Sequence, residues 1–100
     1  MTDSGSVFAE LEVEDAETYR LKAELVRRIA ALVTDRRLTQ SAAAVRMGLS
    51  QPEVSKMLQG QPSPLSLERL MRCLVALGQN VAIDVWPANL SRPRIKMTVR

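Results

Sequence analysis

No histidine occurs among the 100 residues, which removes the commonest general base and the commonest metal ligand. One cysteine, Cys73, cannot close a disulfide within the chain and is too few for a structural zinc site. Ser, Lys and Tyr show no spacing that pairs a nucleophile with a base, so neither enzyme activity nor a cofactor is expected. Uninterrupted apolar runs such as Ile29 to Val33 are far too short to span a bilayer, and no membrane partner is expected. The acidic N-terminal stretch is unlike a basic secretory signal, which makes the cytoplasm the expected compartment. A chain with 46% hydrophobic and 25% charged residues does not read as disordered, and its length fits one small domain with tails. These absences leave a binding module.

The formal charge of +3 conceals two opposed parts. Residues 1–19 contain Asp3, Glu10, Glu12, Glu14, Asp15 and Glu17 and no base, whereas the remainder holds all 14 Lys and Arg with only five acids. The first part is therefore −6 and the second +9. Such asymmetry suits a polyanionic partner for the basic part and a separate role for the acidic one, or simply a solvated acidic arm before a mildly basic domain.

Residues 1–14 read as an acidic arm, the first six unstructured, with Val7, Phe8, Leu11 and Val13 too sparse to build a core element alone. A helix is expected from Asp15, as N-cap, to Arg36, its stripe formed by Tyr19, Ala23, Val26, Ala30 and Val33 and widened by Leu25, Ile29 and Leu32. Thr39 should cap a second helix ending at Met47 before Gly48. Ser50-Gln51-Pro52-Glu53 reads as a capping box opening a third helix to Leu58. Gln61-Pro62-Ser63-Pro64 can only be a loop. Ser66 should cap a fourth helix with Leu67, Leu70, Met71, Leu74 and Leu77 on its inner stripe, stopped by Gly78. Residues 15–78 thus form the expected domain, and residues 79–100 a C-terminal strand and basic tail. In that tail Val81, Ile83 and Val85 alternate with polar or small positions, as do Ile95, Met97 and Val99. The last stretch is either a second strand or a basic disordered end. A lone strand would pair within the subunit or with the same strand of a second copy.

Residues 40–59 have helix-turn-helix spacing. Ala44 stands where the two helices cross and must be small, and Gly48 occupies a turn that needs positive φ. Leu49, Val54 and Met57 should face Ala43 and Met47 in a small core, leaving Gln51, Ser55, Lys56 and Gln59 outward on a helix presented to the DNA major groove.

These motifs, with Val7-Phe-Ala-Glu-Leu11, Leu21-Lys-Ala-Glu-Leu25, Leu38-Thr-Gln40, Ser50-Gln-Pro-Glu-Val-Ser-Lys56 and Ser66-Leu-Glu-Arg-Leu-Met-Arg72, resemble the lambda-repressor-like (XRE-type) helix-turn-helix family, including HigA-like antitoxins of bacterial type II toxin–antitoxin operons. The resemblance covers roughly residues 7–86. It implies a mainly α fold, a bundle of four to five helices with a C-terminal β-strand, acting as a homodimer on a palindromic operator. It also implies that Gln40 contacts the DNA backbone and that Gln51, Pro52, Ser55 and Lys56 reach base edges, where Gln suits adenine, Lys suits guanine and Pro offers only apolar contact. Ser50 and Gln59 would contact phosphate, with Arg46, Arg36 and Arg37 adding electrostatic attraction. The uncharged loop at 61–64 departs from relatives that are basic there. The implied role is an antitoxin that neutralises a HigB/RelE-like toxin and represses its own operon. The alternative is a stand-alone XRE-type regulator of the phage-repressor kind.

Phe8, Leu11, Glu12, Glu14 and Tyr19 are the candidate toxin-binding residues, although Phe8 and Tyr19 could instead pack within the chain. Val81, Ile83, Val85 and Trp86 are the candidate dimer interface, with Trp86 alternatively in the core. Glu53 could accept from cytosine, but its capping role explains it better. Met47, Met57, Met71 and Cys73 read as core residues, not as redox or metal groups.

Overall fold

The computed structural model describes the chain over residues 4–98, with side chains from residue 16 onward. Four helices follow in order: α1 (Ser4–Asp35), α2 (Gln40–Met47), α3 (Gln51–Leu58) and α4 (Leu67–Ala76). Leu25, Val26, Ile29 and Val33 of α1 meet Ala43, Ala44 and Met47 of α2, Val54 and Met57 of α3, and Leu70, Cys73, Leu74 and Leu77 from α4 and its end. Most of these sit where the helical spacing put them. On α1 the buried seam is narrower than expected. Tyr19 is 58% exposed, and with Ala23 and Ala30 it lines an open groove of about 360 Å³ facing Met57, Leu58 and Pro62. Neither of the two roles weighed for Tyr19 is thereby decided, because Phe8, Leu11, Glu12 and Glu14 lie outside the residues whose side chains are described.

The start of α1 corrects the expected boundary. The helix begins at Ser4, so Asp15 is an interior residue and not the N-cap. Extending an existing helix costs far less than nucleating one, and residues 7–14 contain good helix formers and no Pro. At 1.5 Å per residue, 32 helical residues span about 48 Å, which matches the 49 Å long dimension of the molecule.

The expected C-terminal strand is the second correction. Among the described residues no strand is present, and Val81, Ile83, Val85 and Trp86 are all exposed. Trp86 is therefore not a core residue in this subunit. Among the described residues from 80 to 98 a single backbone–backbone hydrogen bond forms, Ser91 N–H to the Ala88 carbonyl at 3.1 Å. A strand needs a neighbouring edge, and an all-α body offers none. Met97 is the point at which the tail returns, half-buried against the core.

All four helices end on a residue in the left-handed region with the paired bonds of a Schellman ending. At α2 the Gly48 N–H reaches the Val45 carbonyl and the Leu49 N–H the Ala44 carbonyl (3.4 and 2.9 Å). Gly48 has φ 66°. α1 uses Arg37 at φ 53° in the same position, with Leu38 N–H on the Val33 carbonyl at 3.0 Å. An L side chain costs about 1–2 kcal/mol in this region. Opposite effects are expected from two substitutions. Gly48→Ala should lower unfolding free energy in urea by about 1–2 kcal/mol, and Arg37→Gly should raise it by up to about 1 kcal/mol.

Candidate nucleic-acid interface

The second and third helices are fixed at both ends by local chemistry. The Thr39 hydroxyl accepts from the Ala42 N–H at 3.0 Å and opens α2. Ser50 and Glu53 form a complete capping box at the start of α3: Ser50 N–H donates to Glu53 Oε1 at 2.9 Å and Glu53 N–H to Ser50 Oγ at 3.3 Å. Pro52 lies in the first turn of α3, where its missing N–H breaks no helical bond. Between the helices, Ala43 (0% exposed) and Ala44 allow the close crossing. The turn is held from outside as well, because Arg69 of α4 donates through Nη2 to the Gly48 carbonyl at 2.5 Å.

With Val54 and Met57 buried, the other arc of α3 is set by the 100° step of the helix. Gln51, Ser55 and Gln59 follow one another at i,i+4, and Pro52 and Lys56 form the adjacent row. Gln51, Pro52, Lys56 and Gln59 are exposed and Ser55 is half-exposed. Gln40 and Ser50 are exposed at the N-terminal ends of α2 and α3, and Arg46 is exposed on α2. The eight residues expected to meet DNA are thus all accessible, four of them on one arc of α3 and a fifth, Gln59, at its C-cap.

Two contributors escape a reading of the sequence. Gln61 donates through Nε2 to Gln59 Oε1 at 3.0 Å, and Gln59 donates to Ser55 Oγ at 3.4 Å, so the polar row runs past the helix end into the loop. The uncharged loop gives no hint of this, although Gln59 and Gln61 are only two residues apart. Arg69 is hidden because its partner is 21 positions away. Arg36, expected to attract DNA, also has a structural role: its Nη1 donates to the Leu77 carbonyl at 2.5 Å and ties the end of α4 to the end of α1.

A helix-turn-helix domain family matches residues 7–86. The chain belongs to the helix-turn-helix family. A solved structure provisionally named an XRE-family transcriptional regulator is 38% identical and superposes with a TM-score of 0.74, covering 85% of this chain and 96% of its own. No curated protein matches at a comparable level of significance. Identity and coverage of that order place this helix-turn-helix protein within the XRE type of DNA-binding regulators. Among the described residues no helix is long and apolar enough to cross a membrane.

Electrostatics at the site are local. The Ser50 N–H and hydroxyl hold the Glu53 carboxyl below its ordinary value of 4.5, opposed by desolvation and helped in smaller part by the Arg69 and Lys56 cations. Burial pushes the Cys73 thiol up, which keeps it protonated and unreactive in the core. For Glu53, a folded-state pKa below the unfolded one means its stabilisation is complete above the unfolded value and fades as pH falls through the folded value. Gln can keep the capping geometry without titrating. Melting temperatures of wild type and Glu53→Gln should therefore run parallel near neutrality, with the wild type losing its extra increment below about pH 4.5.

Proposed function

We propose that this XRE-type helix-turn-helix protein is an autorepressing antitoxin, binding a palindromic operator as a homodimer and neutralising a HigB/RelE-like toxin. The observation that carries its DNA reading is the α3 arc of Gln51, Pro52, Ser55, Lys56 and Gln59, accessible on a helix fixed by the capping box and the Gly48 turn. Gln51 suits a bidentate contact to adenine and Lys56 a guanine, while Gln40 and Ser50 at helix starts suit phosphate. Arg46, with no ion-pair partner among the described residues, adds attraction.

Dimerisation is supported by the exposed Val81, Ile83, Val85 and Trp86 on a segment whose backbone has no partners, since the same segment of a second copy would supply an edge. Two recognition helices related by a two-fold axis would then reach successive turns of the groove, about 34–36 Å apart. The toxin reading is supported by charge and position. Six acids fall within residues 1–19, α1 reaches back to Ser4, and the first core residue on α1 is Leu25. Phe8, Leu11, Glu12, Glu14 and Tyr19 on that projecting half suit a basic partner such as an RNA-cleaving toxin.

Co-purification with the product of the adjacent gene, followed by binding to the upstream DNA, separates the readings. A toxin-like partner is expected; its absence with operator binding intact would favour a stand-alone regulator. Deleting residues 1–14 should abolish toxin binding and spare operator binding, and unchanged toxin affinity would sink the arm's assigned role. On DNA, Gln51→Ala should cost about 1–3 kcal/mol and relax specificity at one base pair, whereas Gln40→Ala should weaken all sequences alike.

A further inference from the structure

The C-terminal tail concentrates charge that the recognition surface leaves unused. Arg92, Arg94 and Lys96 are all exposed, none has an ion-pair partner among the described residues, and no acid lies between Asp84 and residue 98. Its placement is defined at two points. The root of the tail is bound to the corner between α1 and α2, where Arg36 holds the Leu77 carbonyl. That corner presents Arg37 in the left-handed region and leads within three residues to Gln40, the start of α2. Further along, Met97 packs half-buried on the core, so the three cations are held on the domain and not on a trailing end.

We propose that residues 92–96 form a second DNA-contacting element, an arm that neutralises backbone phosphates next to the recognition site while reading no bases. The proposal rests on the DNA reading above and deepens it. In the helix-turn-helix geometry the helix preceding the recognition helix crosses the sugar–phosphate backbone, and Gln40 and Arg37 mark its near end. Three exposed cations on a tail that roots beside that end and packs back on the domain at Met97 suit the phosphates flanking the site. Among the described residues Arg92, Arg94 and Lys96 form no ion pair, and Pro93 restricts the backbone between them. The arm also answers the lack of charge in the loop at 61–64, because phosphate attraction absent there is supplied from the other end of the chain.

The test compares the full chain with the triple variant Arg92→Gln, Arg94→Gln, Lys96→Gln on duplex DNA from upstream of its own gene and on a mixed-sequence duplex, across a salt series. The variant should bind both duplexes more weakly. Its slope of log affinity against log salt should be shallower by about 0.9 for each phosphate that is no longer neutralised. The ratio of upstream to mixed-sequence affinity should stay constant. An unchanged slope overturns the arm. So does a changed affinity ratio, or a weakening explained by altered oligomeric state in sedimentation, since the cations would then serve base reading or subunit pairing. If the wild type itself shows no salt-dependent DNA binding, the DNA reading fails, and the arm with it. If wild type binds and the variant is identical, only the arm fails.

Discussion

Residue 48 must hold a φ of 66°, and the crossing of α2 and α3 follows from that angle. Gly48 lets α2 stop within one residue, sends the chain back through Leu49, and offers its carbonyl to Arg69 from the fourth helix. The start of α3 at Ser50 then falls where the capping box can close. A side chain at position 48 would add strain at the turn through its positive φ, although a Cβ there would meet the Arg69 guanidinium only at an ordinary contact distance of 3.6 Å. The orientation of α3 is thus a consequence of backbone freedom at one residue, locked by a cation borrowed from α4.

Much of this is readable in the amino-acid order alone, and the reason is that it is local. Thr39, Ser50 and Ser66 cap helices within three residues of themselves, and Gly48, Gly60 and Gly78 end them by a conformation that the residue type announces. The core positions on α2, α3 and α4 follow from helical spacing. The misreadings share a different character. The alternation at 81–86 describes a segment that would suit a sheet but does not supply the sheet, and in a single subunit no edge exists among the described residues. The acidic stretch before residue 15 lacks a stripe to bury, yet helix propagates through it because α1 is already nucleated. Arg36 with Leu77, and Arg69 with Gly48, join residues 41 and 21 positions apart, which no short-range pattern encodes. The site itself is more legible than its supports: the α3 arc comes from periodicity, whereas Gln61 and Arg69 emerge only from the bonds they make.

Stability and recognition are separated along the chain with little overlap. No buried side chain among the described residues is polar or charged, and none of its buried polar atoms lacks a partner. The ion pairs, Glu24 with Arg27 and Glu68 with Arg72, are exposed and contribute little to folding. Surface cations are consequently free to be arranged for a partner without reference to the core. The exceptions are Arg36 and Arg69, each of which closes a helix end through a carbonyl while remaining at the surface.

The length of α1 has an effect on the charge balance of the whole molecule. A flexible acidic segment of charge −6 could fold across the basic surface and shield it from DNA. A continuous helix from Ser4 instead sets the backbone of this segment along one axis. Glu10 stands about 22 Å along that axis from Leu25, the first core residue. At physiological ionic strength fields decay over about 8 Å. Helix positions 10 and 12 therefore stand more than one screening length from the core of the domain, so charge placed there weighs little on it, unlike that of Glu17 beside the Tyr19 groove.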